Sequence, residues 1–529
     1  MHLRRALLFN AWIQLALVIA IVALGNAWSA RRFVRVDLTT DKRYSLDLVT
    51  RSLMYQLDKP LYVKVYFTGD LKPPYNNNEQ IVVDKLEEMR AYSRGLLELS
   101  VTDPTNIRAL EEEARRFGIV SMQQGYRDAS GSELKKVFMG VALVYGDRQE
   151  VLPAVTQTST LEYELARAVQ RLLSDEPPAT VGYVVGHGEP DLLTAGGPVE
   201  ALRGKLRDEY QLVSVTLDGK EGVPEEVDAL FVIGPQRPLS DRALYHLDQY
   251  LMKGGALAAF LTNVKPDLRT MRAQSIYHGM EGLLGHYGVQ VNRDVIVDRK
   301  SSGQMDFPVR QGRTIRQTRV NYPLIPRASR LSEDSLVVKD LDSMLFPFVS
   351  SLTLADPLPP EVQAEVLAWS GEGSTRLRGL RRVDPTSFQV MAPGEEPGSY
   401  ALLVNLTGRW DSYFADQPIP RPDLAAVEGA VLPDDPGSKL RQGAEARLVV
   451  SGSADFVANN IPFMLNQVDW MLQDESLISI RSKNTPLPKL EPLEPAEART
   501  AKLANLLGGP ALILLLGGIR WLIRRRTEA

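Results

Sequence analysis

The sequence predicts an α/β fold carried between two terminal membrane-spanning helices. Three observations predict it. Short β-branched strands alternate with amphipathic helices through the middle of the chain, the signature of βαβ units. Composition is that of a globular protein, 44% hydrophobic and 24% charged. Two uncharged apolar runs flank this region, one near each end.

The first run covers residues 6–30, without a charged side chain and with Trp12 and Trp28 near its ends. It is long enough to cross a bilayer core of about 30 Å as a helix, and indole rings favour the interface. The second is uncharged over residues 503–519, extends past Arg520 to 523, and is followed by Arg524, Arg525 and Arg526, a cytoplasmic marker. Two spans place both termini in the cytoplasm of a bacterium and the region between them beyond its cytoplasmic membrane. A cleaved signal peptide ending near Gly25-Asn26-Ala27 is the competing reading of the first run, and it exports the middle equally.

The chain has 61 Lys+Arg, 65 Asp+Glu and no Cys. Without the arginines beside the spans and Glu528, the middle holds 52 basic against 64 acidic residues, which excludes a generic nucleic-acid binder. Absence of Cys removes disulfides, thiolate metal sites and thiol nucleophiles.

Residues 37–174 form a first unit. A strand is expected over 61–67, a helix over 79–93 with Ile81, Leu86 and Met89 inward, and a strand over 96–101. A helix follows over 107–117, then a hairpin (137–145 and 150–155) turning at Gly146-Asp147, and a helix over 160–173. The order βαβαββα matches a thioredoxin-like layout, which without Cys serves as a scaffold.

After a linker at Pro177-Pro178, a second unit runs over 179–482. Strands are expected at 180–185, 212–217, 229–233 and 256–261, with helices at 198–210 and from Ser240, as cap, to Met252. Ligands of such sheets sit past the carboxyl ends of strands, where residues 186–191, Gly234-Pro235 and Thr262-Asn263 would meet. Residues 299–330 read as irregular and basic, with eight Lys+Arg against Asp306 alone. Strands resume near 350–355, 400–406 and 447–451, then a helix over 463–473. Residues 417–437 read as a surface loop and 483–500 as a Pro/Glu-rich tether into the second span.

Gly186-His187-Gly188-Glu189 is the sharpest local signal. Glycines around a polar pair at a strand end permit a tight turn that exposes both side chains. His187 and Glu189 could act as base and partner, contact a ligand or partner protein, or simply close the turn. Asp455, after the strand ending at Ser451, sits at a strand end where a turn or helix cap competes with a binding role. No GxSxG elbow and no properly spaced GxxxxGK loop occur, so neither an esterase nucleophile nor a Walker ATP site is present. His278 and His286 lack carboxylate ligands at metal spacing. No cofactor and no metal are expected.

Several stretches together resemble the GldG family, auxiliary subunits of gliding-motility-type ABC transporters. They are residues 38–45 (LTTDKRYS), 63–67 with Gly69-Asp70-Leu71, 186–189 (GHGE), 231–255, 453–459 (SADFVAN) and 466–480. The resemblance spans nearly the whole chain. It implies a membrane-anchored exported subunit working with a separate ABC permease and ABC ATPase, and a central domain like the class I glutamine-amidotransferase fold. That activity does not carry over, because its nucleophile is a Cys.

The expectation is therefore a non-enzymatic accessory subunit of an ABC transport complex, contacting the permease or a cell-envelope cargo and open to homo-oligomerisation. Gly186, His187, Gly188, Glu189 and Asp455 are its candidate contacts. Two alternatives stand beside it: an anchored hydrolase or transferase of envelope polymers using His187 and Glu189, and a glycan- or lipid-binding module using residues 299–330.

Overall fold

The computed structural model describes residues 17, 45–128, 131–192, 199–311, 314–338, 341–388, 397–422, 439–473, 478, 480 and 517–518. The expected spans, the 483–500 tether and most of the 417–437 loop lie outside the described residues. Among the described residues no helix is long and apolar enough to cross a membrane.

The first unit opens with helix α1 (Leu48–Gln56), capped by Asp47, whose carboxylate accepts from Val49 N–H at 3.0 Å. Then come β1 (Leu61–Phe67), α2 (Asn78–Tyr92), β2 (Leu97–Thr102), α3 (Arg108–Arg116), the hairpin β3 (Met122–Asp128) and β4 (Gly131–Val137), β5 (Met139–Tyr145), β6 (Arg148–Leu152) and α4 (Leu161–Leu173). The sheet order is β2-β1-β5-β6, with β1 and β2 parallel and the other pairs antiparallel. The expected βαβαββα elements are all present. Two additions were not read from the sequence: α1, and the β3–β4 hairpin, which forms its own two-stranded sheet. Ile81 is a correction. It is 38% exposed, and Val82 takes the inward place beside Leu86 and Met89.

The second unit is a large α/β body. Its first strands and helices are β7 (Thr180–Val184), α5 (Glu200–Glu209), β8 (Gln211–Val215), β9 (Ala229–Ile233), α6 (Asp241–Met252) and β10 (Ala256–Phe260). A long excursion follows: β11 (Val264–Asp267), β12 (Arg272–Ser275), α7 (Glu281–His286), β13 (Val289–Val291), β14 (Val295–Val297), β15 (Ser302–Gln311) and β16 (Thr314–Ala328). It continues through β17 (Arg330–Leu331), β18 (Met344–Leu345), β19 (Leu352–Leu354), β20 (Val362–Trp369), β21 (Thr375–Leu377) and β22 (Ala401–Gly408). The chain returns as β23 (Ala446–Ser451) and closes with α8 (Ile461–Met471). Residues 299–330, read as irregular, instead form most of the β15–β16 ribbon, with continuous antiparallel pairing from Gly303–Tyr322 to Gln311–Thr314.

Strands β8-β7-β9-β10-β23 lie side by side and parallel. Counted along the chain this is the 2-1-3-4-5 order of doubly wound sheets. Strands β22 and β20 extend it antiparallel. Side chains alternate between two cores. Phe231, Ala258, Phe260 and Val449 pack under α5 and α8, while Leu230, Val232, Leu257 and Val450 pack under α6 and α7. Because α5 and α6 cover opposite faces, the winding reverses between β7 and β9, and a crevice opens at their carboxyl ends.

Two buried charges tie this body together. Asp248, in the middle of α6 and 0% exposed, accepts from Tyr287 Oη (2.5 Å), Tyr413 N–H (2.7 Å), Ser412 Oγ (2.7 Å) and Gln249 Nε2 (2.9 Å). It thereby holds α6 to α7 and to the 410–417 loop. Arg167 of α4 reaches across to the second unit. Its guanidinium lies 3.2 Å from Glu209 and 3.7 Å from Asp469, over the Tyr210 ring, with side-chain exposures of 13%, 11% and 2% for the three charged groups. Arg171 donates to the Asp208 carbonyl at 2.7 Å. Since α5 ends at Glu209 and β8 begins at Gln211, the first unit docks on the amino edge of the large sheet.

Both ends of this body enter one core. Leu46, at the start, and Ile480, after α8, are 2% and 0% exposed and belong to the same apolar core, that of the first unit.

Replacing Asp248 by Ala strands buried donors on three elements. We expect unfolding free energy to fall by about 3 kcal/mol in a denaturant melt, against less than about 0.5 kcal/mol for Asp306→Ala on the exposed ribbon. Equal melting of the two variants would refute this role of Asp248.

Candidate functional site

The carboxyl edge at the β7/β9 reversal gathers the segments that the sequence singled out. Strand β7 ends in Gly186-His187-Gly188-Glu189, β9 in Gly234, β10 in Thr262-Asn263 and β23 in the turn to Asp455. Their contacts are direct. The His187 carbonyl accepts from Gln236 and Arg237 N–H at 2.9 and 3.0 Å. A Cβ on Gly234 would lie 2.9 Å from Ala454 Cβ, and Ala454 N–H donates to Thr262 Oγ1 at 2.7 Å. The turn itself needs glycine twice, because Gly186 and Gly188 have φ of +123° and +91°. At Gly188 a Cβ would also come within 3.0 Å of Gln236 Cβ.

His187 does not project outward from this turn. Its side chain is 6% exposed and sits between two carboxylates, with Nδ1 3.3 Å from Glu189 Oε1 and Nε2 3.2 Å from Asp218 Oδ2. The Nδ1 contact is an ion-pair distance with poor hydrogen-bond alignment. Glu189 Oε2 turns back to accept the His187 N–H at 2.7 Å, and its side chain is 1% exposed. Asp218, past the end of β8, also accepts from Ser240 Oγ at 2.5 Å. Ser240 caps α6 by accepting from Ala243 N–H at 3.1 Å. One ring thus links the loops after β7 and β8 to the start of α6.

This placement decides the chemistry of the ring. The Glu189 carboxylate first, and the Asp218 charge with it, raise the His187 pKa above the ordinary imidazole value against the opposing effect of burial. Both ring nitrogens are occupied by carboxylates and the ring is buried, so it is poorly placed to act as a base. Ser240 Oγ is committed to the cap and to Asp218, so the site provides no activated nucleophile. Among the described residues no group of His, Asp and Glu could hold a metal ion. His278 is fully buried, with its pKa lowered by desolvation, and His286 lies exposed with Nε2 2.8 Å from the Asp411 carbonyl.

Asp455 stands apart from the histidine clamp. It opens a 3-10 turn (Asp455–Ala458) rather than capping it, since the cap position is Ala454. Its side chain is exposed. Surrounding protein nonetheless raises its pKa by desolvation, and no donor among the described residues compensates. Gln236 Oε1 is likewise buried without a hydrogen-bond partner. The sequence reading missed Asp218 and Gln236. The acid closing Thr216-Leu217-Asp218 is a strand-end signal of the same kind as Asp455, on the neighbouring strand.

The raised His187 pKa fixes the sign of a pH effect. The stabilisation from the clamp is complete below the unfolded value near 6.5 and is lost as pH rises through the folded value. His187→Gln should cost about 1–3 kcal/mol at pH 6 and measurably less at pH 9, read from paired denaturant melts. A cost independent of pH would exclude the imidazolium.

Comparison with known proteins gives the family. Residues 40–144 match a domain of unknown function, and residues 178–477 match the family described as "ABC-type uncharacterized transport system". A protein of Borreliella burgdorferi, described as "Uncharacterized protein", is 21% identical over 98% of this chain and 99% of its own length. Two solved structures align loosely. The mmIFT52 N-terminal domain has TM-score 0.31 and 14% identity over 55% of this chain and 97% of its own. The exo-beta-1,4-mannosidase Op5Man5 from Opitutaceae bacterium strain TAV5 has TM-score 0.23 and 13% identity over 83% and 55%. Neither carries an argument about function. The match over 178–477 takes in more than half of the chain, with the whole carboxyl-edge site inside it, and the protein therefore belongs to the ABC-type uncharacterized transport system family.

Proposed function

We propose that the protein is a non-enzymatic accessory subunit of an ABC transport complex, anchored at both ends in the bacterial cytoplasmic membrane. Its α/β body lies beyond the cytosol. A separate permease and a separate ATPase complete the complex, and ATP is hydrolysed on the ATPase. The gliding-type GldG subunits are the nearest functional analogy. The first unit serves as a thioredoxin-like scaffold without redox chemistry, and the second as an amidotransferase-like body without its nucleophile.

The observation that carries this reading is the meeting of Leu46 and Ile480 in one core. Both ends of the described body enter that unit's core, which suits an anchor at each end. The large sheet is docked to that unit by its amino edge, so its carboxyl edge faces away from the unit. Gly186, Gly188 and Asp455 are exposed there and are the proposed contacts for the permease or an envelope cargo, while His187 and Glu189 brace the turn from beneath. The hydrolase alternative loses support from the His187 clamp, which leaves a poorly placed base and no activated nucleophile.

Two measurements test the proposal together. A reporter active only outside the cytosol, inserted after Lys220, should be active, and mild-detergent purification should recover a multispanning permease and an ATPase. A reporter active only inside the cell, or repeated recovery of the chain alone, would overturn it.

A further inference from the structure

The β15–β16 ribbon is the part of the body that the proposed role does not use. Its strands pair through ten register positions, yet beyond its base no further strand among the described residues joins it; β18 meets β16 only at Arg327 and Ala328. Gln317, Thr318 and Arg319 are exposed, and Met305, Phe307 and Val320 are half-buried. A two-stranded ribbon is marginal alone in water, and ordering each residue costs about 1–2 kcal/mol.

Its two edges are not equivalent. Pro308 pairs with Gln317 and has no N–H, so theirs is a non-hydrogen-bonded pair. Alternation puts Arg310–Ile315 and Asp306–Arg319 in the same class. In such pairs the N–H and C=O of each residue point away from the partner strand. On the β15 side, Pro308 therefore interrupts the outward donors, a common protection of an edge. On the β16 side, Ile315, Gln317 and Arg319 present an unbroken row of donors and acceptors. Nearer the base, the Pro323 carbonyl is already taken by Asp298 N–H at 2.9 Å. Charge adds a preference: between 302 and 319 the sequence carries four arginines and a single acid, Asp306, which Arg319 already meets at 3.2 Å.

We propose that the outer edge of β16, over residues 315–319, takes up an extended acidic segment of a partner protein as a third strand. Main-chain bonds supply the affinity, and the arginines select the charge. A second copy of this chain fits poorly. Outward residues of one copy must oppose outward residues of the other, and antiparallel pairing of two β16 edges centred on Gln317 sets Arg316 diagonal to Arg316 of the other copy, within reach of long side chains and with no acid on either strand to offset them. A lipid surface would engage the arginines but offers no ladder for the outward main-chain groups. The proposal does not depend on the transport reading.

The test uses the full chain in detergent and a fluorescent peptide, Thr-Glu-Val-Glu-Val-Glu-Thr, followed by anisotropy. Saturable binding is expected. N-methylation of the amides along one peptide edge should weaken it at least about tenfold, or about 1.4 kcal/mol, and N-methylation along the other edge should not. Gln317→Pro, which mirrors Pro308 across the ladder, should weaken it similarly. A Lys-for-Glu peptide should not bind. Equal binding of both N-methylated peptides, equal binding of the Lys peptide, or displacement by phosphatidylglycerol vesicles without any N-methyl effect would each overturn the proposal.

Discussion

The Arg167 guanidinium is the constraint on which the arrangement of the body depends. It is largely withdrawn from water between Glu209 and Asp469, so neither carboxylate can stay ionised at low cost without it. Three elements distant in sequence, α4, α5 and α8, must converge to satisfy one charge. Helix α8 is thereby held beside the first unit, and the chain that follows it reaches that unit's core at Ile480. Both ends of the described body thus reach one apolar core, beside which the Arg167 cluster fixes α8.

At the other edge of the sheet, ionic chemistry is also spent on architecture. His187 looks catalytic by residue type and by position at the topological switch. Its two carboxylate neighbours turn it into a fastener between loops. What remains open at that edge is a glycine-rich rim and the exposed Asp455, which has no compensating donor among the described residues. The proposed accessory role needs such a braced rim with an open outer face.

Much of this was legible in the sequence because periodicity reports burial. Strands β7, β9 and β10 are almost wholly apolar since both faces are covered along their length, and Ser240 announced α6 through its cap. The strand-end glycines likewise marked the edge of the sheet correctly. Helix α1 was missed because Leu48 and Tyr55 lie on its exposed side and blur the amphipathic pattern. The β15–β16 ribbon was missed for the opposite reason. With little core beneath it, its residues need not alternate cleanly, and arginines dominate the reading. The pairings of Asp218 with His187 and of Arg167 with Asp469 were invisible, since the partners lie 31 and 302 residues apart along the chain.

The claim that organises all of this is that both units form one rigid body. The chain has no native Cys, so a pair introduced at exposed Leu48 in α1 and exposed Lys253 just past α6 can carry two spin labels. Pulsed electron paramagnetic resonance should then give one narrow distance distribution, the same in detergent and in a bilayer. A broad or multimodal distribution would contradict the account.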